Sequence, residues 1–170
     1  TGRQRAGLQG SEAMTTLFRA YGNRVLAGVT GIAIIALFAR IMSFPVRHDE
    51  QMYVPVGMLL RHGDLHRDFG FNNLPNLALL LGLSVELTGT DHYLLAGRLV
   101  IFAAWLLALV AMGLLVFRAS RSLTASLLAA LLIVTNPVLI GPAGMLATNN
   151  FLPLPFALAA TALLVAGLDQ

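Results

Sequence analysis

Apolar residues dominate long stretches of this chain, and charges mark where those stretches end. From Val25 the sequence runs apolar to Ala39, meets Arg40 and resumes with Ile41-Met42. A hydrocarbon core about 30 Å thick takes about 20 apolar residues in helical form. Residues 25–46 therefore read as a first membrane span. The stretch is too long, and too far from the start, for a signal-peptide core, and no small-residue cleavage site follows. A second span, 99–117, is bounded by Arg98 and Arg118. From Ser122 to Leu168 there are 47 residues without a charge, about twice one span. That length predicts a hairpin, with its turn among Asn136-Pro137, Gly141-Pro142 and Asn149-Asn150. Spans three and four are expected at about 123–140 and 151–168. Pro153 and Pro155 would fall in the first turn of the fourth, where a missing N–H costs least.

One further apolar stretch, 74–87, is short and contains Glu86. A run of this length more often lies in the interface or re-enters than crosses. Arginine placement supports that choice. Arg3, Arg5, Arg19 and Arg24 precede the first span, and Arg118 and Arg121 follow the second. Both groups face the cytoplasm only if 74–87 does not cross. The expected fold is thus an all-α, polytopic membrane helical bundle of about four spans. Residues 1–24 form a cytoplasmic N-terminal lead, and residues 47–98 an outer loop. Within that loop, 49–61 has helical spacing, with Met52, Val56, Leu59 and Leu60 as an apolar stripe and Gly63 as a stop. It reads as an amphipathic helix on the membrane surface, distorted by Pro55.

Composition agrees with a lipid environment. Hydrophobic residues make up 57% and charged residues 11%, against about 25% charged in a soluble domain. There is no cysteine, so disulfides and thiolate metal sites are excluded. All 11 basic residues are arginine, which with the Ala/Leu/Gly/Val richness suggests a GC-rich bacterial coding sequence and hence an inner-membrane location. No basic cluster with interleaved aromatics is present, so a nucleic-acid partner is not expected. The first methionine is Met14, and the last residues stop where a helix leaves the membrane. The expectation is a fragment of something longer.

The outer loop holds six of the eight acids and all four histidines. A loop of this length is long enough to carry function. Its sharpest feature is His48-Asp49-Glu50, just past the first span. A carboxylate at the edge of a low-dielectric slab is suited to general-base work near neutral pH. The same acids would equally start a helix and favour its positive end. In Gly63-Asp64-Leu65-His66-Arg67-Asp68-Phe69, Asp68 could meet a sugar hydroxyl or a metal, or close a solvated turn with Arg67. Carboxylates with interspersed histidine could hold a divalent metal, although their spacing is irregular. Arg40 and Arg98 could neutralise a lipid phosphate, or snorkel to the headgroups. Asn149 and Asn150 could hydrogen-bond a polar substrate or form an ordinary turn. There is no Gly-rich phosphate loop, HExxH or GxSxG motif, so soluble nucleotide chemistry has no support.

The order of these features resembles the polytopic GT-C glycosyltransferases, including the protein O-mannosyltransferases and lipid A aminoarabinose transferases. The resemblance is carried by an arginine-flanked first span, Asp49-Glu50 with Tyr53 three residues on, the 63–69 stretch, Asn73-Leu74-Pro75-Asn76-Leu77, and Gly89-Thr90-Asp91 leading to Arg98. It covers about residues 25–168. Two departures stand out. The family's His-x-Pro-Pro is only partly kept, and Asn149-Asn150 stands where many members have an acid. The resemblance implies transfer of a sugar from a polyprenyl-phosphate donor on the extracytoplasmic side. Asp49 would be the base or acceptor-orienting carboxylate and Glu50 its support. His48, Tyr53, Asp68, Asn149 and Asn150 would line the substrate site, and Arg40, Arg98 or a metal would meet the departing phosphate. Against it stand two other readings: a non-catalytic protein binding a lipid-linked sugar or partner through the outer loop, and a transporter fragment. Spans clean of charge apart from Arg40 count against transport.

Overall fold

The computed structural model describes residues 2–60, 62–64, 67–70 and 75–168, with side chains from Ala20 onward. Among these residues the fold is built from helices alone. They are α1 (Gly2–Ser43), α2 (His48–Leu59), α3 (Asn76–Thr88), α4 (Tyr93–Ser120), α5 (Leu123–Val134), the single turn α6 (Pro142–Met145) and α7 (Pro153–Leu168). Two segments are long and apolar enough to cross a membrane: Ala20–Ser43 of α1, and α4.

Several boundaries differ from the sequence expectation. No break separates a lead from the first span, because α1 runs as one helix from Gly2. Nothing between Gly2 and Val25 forbids it: there is no proline, and the polar residues there are mostly fair helix formers. The third predicted span ends early. Helix α5 stops at Val134, and Asn136 takes over the next turn, its Oδ1 accepting from the N–H of Val138 (3.0 Å) and of Leu139 (3.3 Å). An asparagine can do this because its side chain mimics the backbone carbonyl that a helix would supply. Pro137 follows and cannot donate to the ladder. At 12 residues α5 is about 18 Å long, shorter than a membrane crossing.

Helix α3 accounts for most of the 74–87 stretch; Leu74 lies outside the described residues. Its 13 residues give about 20 Å, short of a crossing. It ends at Gly89, whose φ of 61° is the left-handed conformation that glycine adopts freely. The α2 helix forms as expected, but only part of the expected apolar stripe is buried. Glu50, Val54, Val56 and Gly57 point inward, while Met52 and Leu59 are exposed. The reason is glycine packing. A Cβ on Gly57 would lie 2.5 Å from that of Leu81, and one on Gly82 would lie 3.3 Å from the Gly57 carbonyl oxygen. The bare backbones of α2 and α3 therefore touch, and that contact sets the rotation of α2. Small residues let helices approach in this way. Pro55 faces outward and leaves the helix continuous.

Connection length fixes the rest. Only Arg121 and Ser122 join α4 to α5, so the two are antiparallel neighbours. Arg121 adopts φ 51°, donating to the Phe117 carbonyl (2.7 Å), and Ser122 then caps α5 by accepting from the Ala125 N–H (3.3 Å). The core centres on Trp105 of α4. Its ring is fully buried and stacks on Phe151 with centroids 4.5 Å apart. Its indole N–H donates to the Gly144 carbonyl at 2.7 Å, satisfying a buried donor and pinning α6. Around it pack Ile41, Leu77, Leu81, Ile101 and Met145. The outside carries large apolar side chains, among them Ile32, Ile35, Val110, Leu132, Leu163 and Leu164.

Candidate functional site

The chain of α1 ends at Ser43, and a helix end leaves carbonyls without intrahelical donors. Here they are met from another helix. Arg98, in the second turn of α4, donates through one terminal nitrogen to the Met42 carbonyl (2.8 Å) and through the other to the Phe44 carbonyl (2.7 Å). The same guanidinium meets Glu50 side-on: Nε lies 3.3 Å from Oε1 and a terminal nitrogen 3.0 Å from Oε2. Glu50 sits in the first turn of α2, where the helix dipole favours an anion. Its Oε1 also accepts from the backbone N–H of Ala147 (3.2 Å). Both side chains are buried, at 1% and 5% exposure for Glu50 and Arg98. The pair thus joins α1, α2, α4 and the segment before α7.

Gly97 makes the junction possible. A Cβ there would lie 3.1 Å from that of Ala147 and 3.2 Å from Leu81 Cδ2. The ion pair is fully hydrogen-bonded, which is the condition for carrying two charges out of water. It also commits both groups. The Glu50 carboxylate is closed off, so it cannot meet substrate directly. The Arg98 guanidinium, expected to meet a leaving phosphate, is here buried and bonded to Glu50 and the two carbonyls.

Asp49, one residue earlier, is exposed, as is His48, and Tyr53 is half-buried. Asp49 is therefore a solvent-accessible carboxylate on a helix turn locked by its neighbour. Arg40 is also exposed. Its Nε donates to the Ile140 carbonyl (2.8 Å), and its guanidinium carbon lies 5.8 Å from the centre of the Phe44 ring. That holds the side chain while its two terminal nitrogens make no hydrogen bond among the described residues.

Other candidates stand apart from this junction. The Asp68 carboxylate closes its own turn, accepting from the Asp64 N–H (2.7 Å), with Arg67 paired to Asp64 at 3.0 Å. His66, Arg61, Asn73 and Leu74 lie outside the described residues. Asn149 is half-buried and Asn150 exposed, in the turn just after Ala147. Among the described residues no group of three or more His, Asp or Glu comes together that could hold a metal. Sequence reasoning named both Glu50 and Arg98 but did not pair them. Forty-eight positions separate them, and no periodicity links a residue on α2 to one on α4.

Among the described residues, fold and junction together define an all-helical arrangement with two helices long and apolar enough to cross a membrane, braced at the end of the first by a buried carboxylate–guanidinium pair. No protein-family model, curated protein or solved structure matches it.

Proposed function

We propose that this chain belongs to a membrane glycosyltransferase of the GT-C kind, moving a sugar from a polyprenyl-phosphate donor to an acceptor on the extracytoplasmic side of a bacterial inner membrane. In this reading α1, α4, the 123–145 segment and α7 are four spans, the N-terminus is cytoplasmic, and α2 and α3 lie at the outer surface. The exposed apolar side chains of α1, α4, α5 and α7 support burial in lipid, since water-soluble surfaces rarely carry so many.

The observation that carries the reading is the pairing of an exposed Asp49 with a locked Glu50, directly after a helix of membrane-crossing length. Chemistry at a lipid headgroup needs a carboxylate held at fixed depth. The Glu50–Arg98 pair supplies the fixing, and Asp49 supplies the free carboxylate. The acceptor hydroxyl oxygen attacks the anomeric carbon as its proton passes to Asp49. The bond from that carbon to the phosphate oxygen breaks, and polyprenyl phosphate leaves with the electron pair. Positive charge near the departing phosphate lowers the barrier. Arg40 is the candidate for that task, because its outer nitrogens are open and a guanidinium fork matches phosphate oxygens.

The test supplies purified full-length protein with a panel of polyprenyl-phosphate sugars and follows release of polyprenyl phosphate. One donor is expected to be consumed, and Asp49→Asn to lose that turnover by about 10²- to 10⁴-fold, the range of general-base contributions, with unchanged unfolding behaviour. Wild-type turnover with no donor in the panel, or full turnover by Asp49→Asn, overturns the reading.

A further inference from the structure

Helices α3, α4 and α7 line a groove of about 380 Å³. Leu80, Leu83 and Leu87 form one wall, and Leu107 and Phe156 lie opposite. Past Leu80 and Phe156 it continues into a second compartment of about 280 Å³, where Asn76 and Asn149 join the lining. The first compartment has two hydroxyls, and both are spent internally. Ser84 donates to the Ala96 carbonyl (3.3 Å), and Thr88 to the Ser84 carbonyl (2.7 Å). That compartment offers only hydrocarbon contact. The carboxamides of Asn76 and Asn149, in contrast, make no hydrogen bond among the described residues. Each keeps a donor and an acceptor available. Among the described residues no charged side chain lines either compartment.

From this arrangement we infer that the groove binds a neutral glycolipid: a hydrocarbon chain along α3 and α4, and an uncharged, hydroxyl-bearing head against Asn76 and Asn149. The absence of lining charge selects the head. A phosphate brought here would lose water without gaining a cationic partner, which is costly. Sugar hydroxyls both donate and accept, and so match two carboxamides. Neither Asp49 nor Arg40 lines it, and the inference stands whether or not the chain transfers sugars.

The experiment uses the full-length protein in lipid nanodiscs and a monoglucosyl diacylglycerol carrying a diazirine in one acyl chain. After photolysis, cross-linked peptides are mapped by mass spectrometry. Labelling is expected within α3, α4 and α7. Unlabelled monoglucosyl diacylglycerol should compete at about tenfold lower concentration than phosphatidylglycerol with the same chains, the ratio two modest hydrogen bonds provide. Ala103→Trp, which fills the first compartment, should abolish labelling there. The double substitution Asn76→Leu/Asn149→Leu should bring the competition ratio to about one; both positions are solvent-accessible, so this variant decides the matter even if Ala103→Trp misfolds. A wild-type ratio near one, meaning that bulk lipid fills the groove without selection, overturns the inference. So does labelling spread evenly over the other helices.

Discussion

Replacing Arg98 by methionine removes the one cation of a buried pair while keeping much of its volume. The carboxylate of Glu50 then keeps a single polar partner, the Ala147 N–H, at 1% exposure. The Met42 and Phe44 carbonyls lose their donors as well. Breaking a buried pair by removing one partner costs about 3–5 kcal/mol. The two carbonyls belong to half-buried residues that water can approach, so they add little beyond that. At about 2–4 °C per kcal/mol for a chain of this size, the expected fall in Tm is about 6–20 °C. Adding Glu50→Leu to Arg98→Met removes the stranded charge, and a buried pair replaced on both sides by apolar groups is often near neutral. The double variant should therefore be more stable than Arg98→Met alone, with a coupling of about 2 kcal/mol or more. Equilibrium unfolding in mixed micelles, followed by the fluorescence of Trp105, the sole tryptophan, measures all four corners of the cycle. If Arg98→Met unfolds within about 1 kcal/mol of the parent, or if the double variant is worse than either single one, the pair is not the brace described here and the fixing of Asp49 loses its physical basis.

Other substitutions probe the packing. Gly57→Ala places a Cβ 2.5 Å from that of Leu81 and should cost about 1–3 kcal/mol by forcing α2 from α3. Gly22→Ala, with nothing within 4 Å of its Cβ, should be neutral or gain up to about 1 kcal/mol of helix propensity; the same unfolding assay compares them, and equal effects would refute the close α2–α3 contact. Trp105→Phe keeps the stacked aromatic but strands the Gly144 carbonyl, so a loss of about 1–3 kcal/mol is expected in thermal unfolding, and an unchanged Tm would show that this bond does not hold α6.

Much of this protein is written in local pattern. Among the described residues, charge-free apolar runs between arginines set two helices long and apolar enough to cross a membrane. Local chemistry also marked the turn at Asn136-Pro137, where a side chain replaces the next helical bond. Tertiary structure decided what local pattern could not reach. The inward face of α2 depends on Gly57 meeting Gly82; of the apolar stripe that helical spacing predicted, Val56 is buried while Met52 and Leu59 ended outside. The burial of Glu50 depends on Arg98 arriving from α4 and Ala147 from the turn before α7. A sequence window sees neighbours along the chain. The fate of a charge is set by neighbours across space, and here one of two adjacent acids was drawn into the core while the other stayed in water.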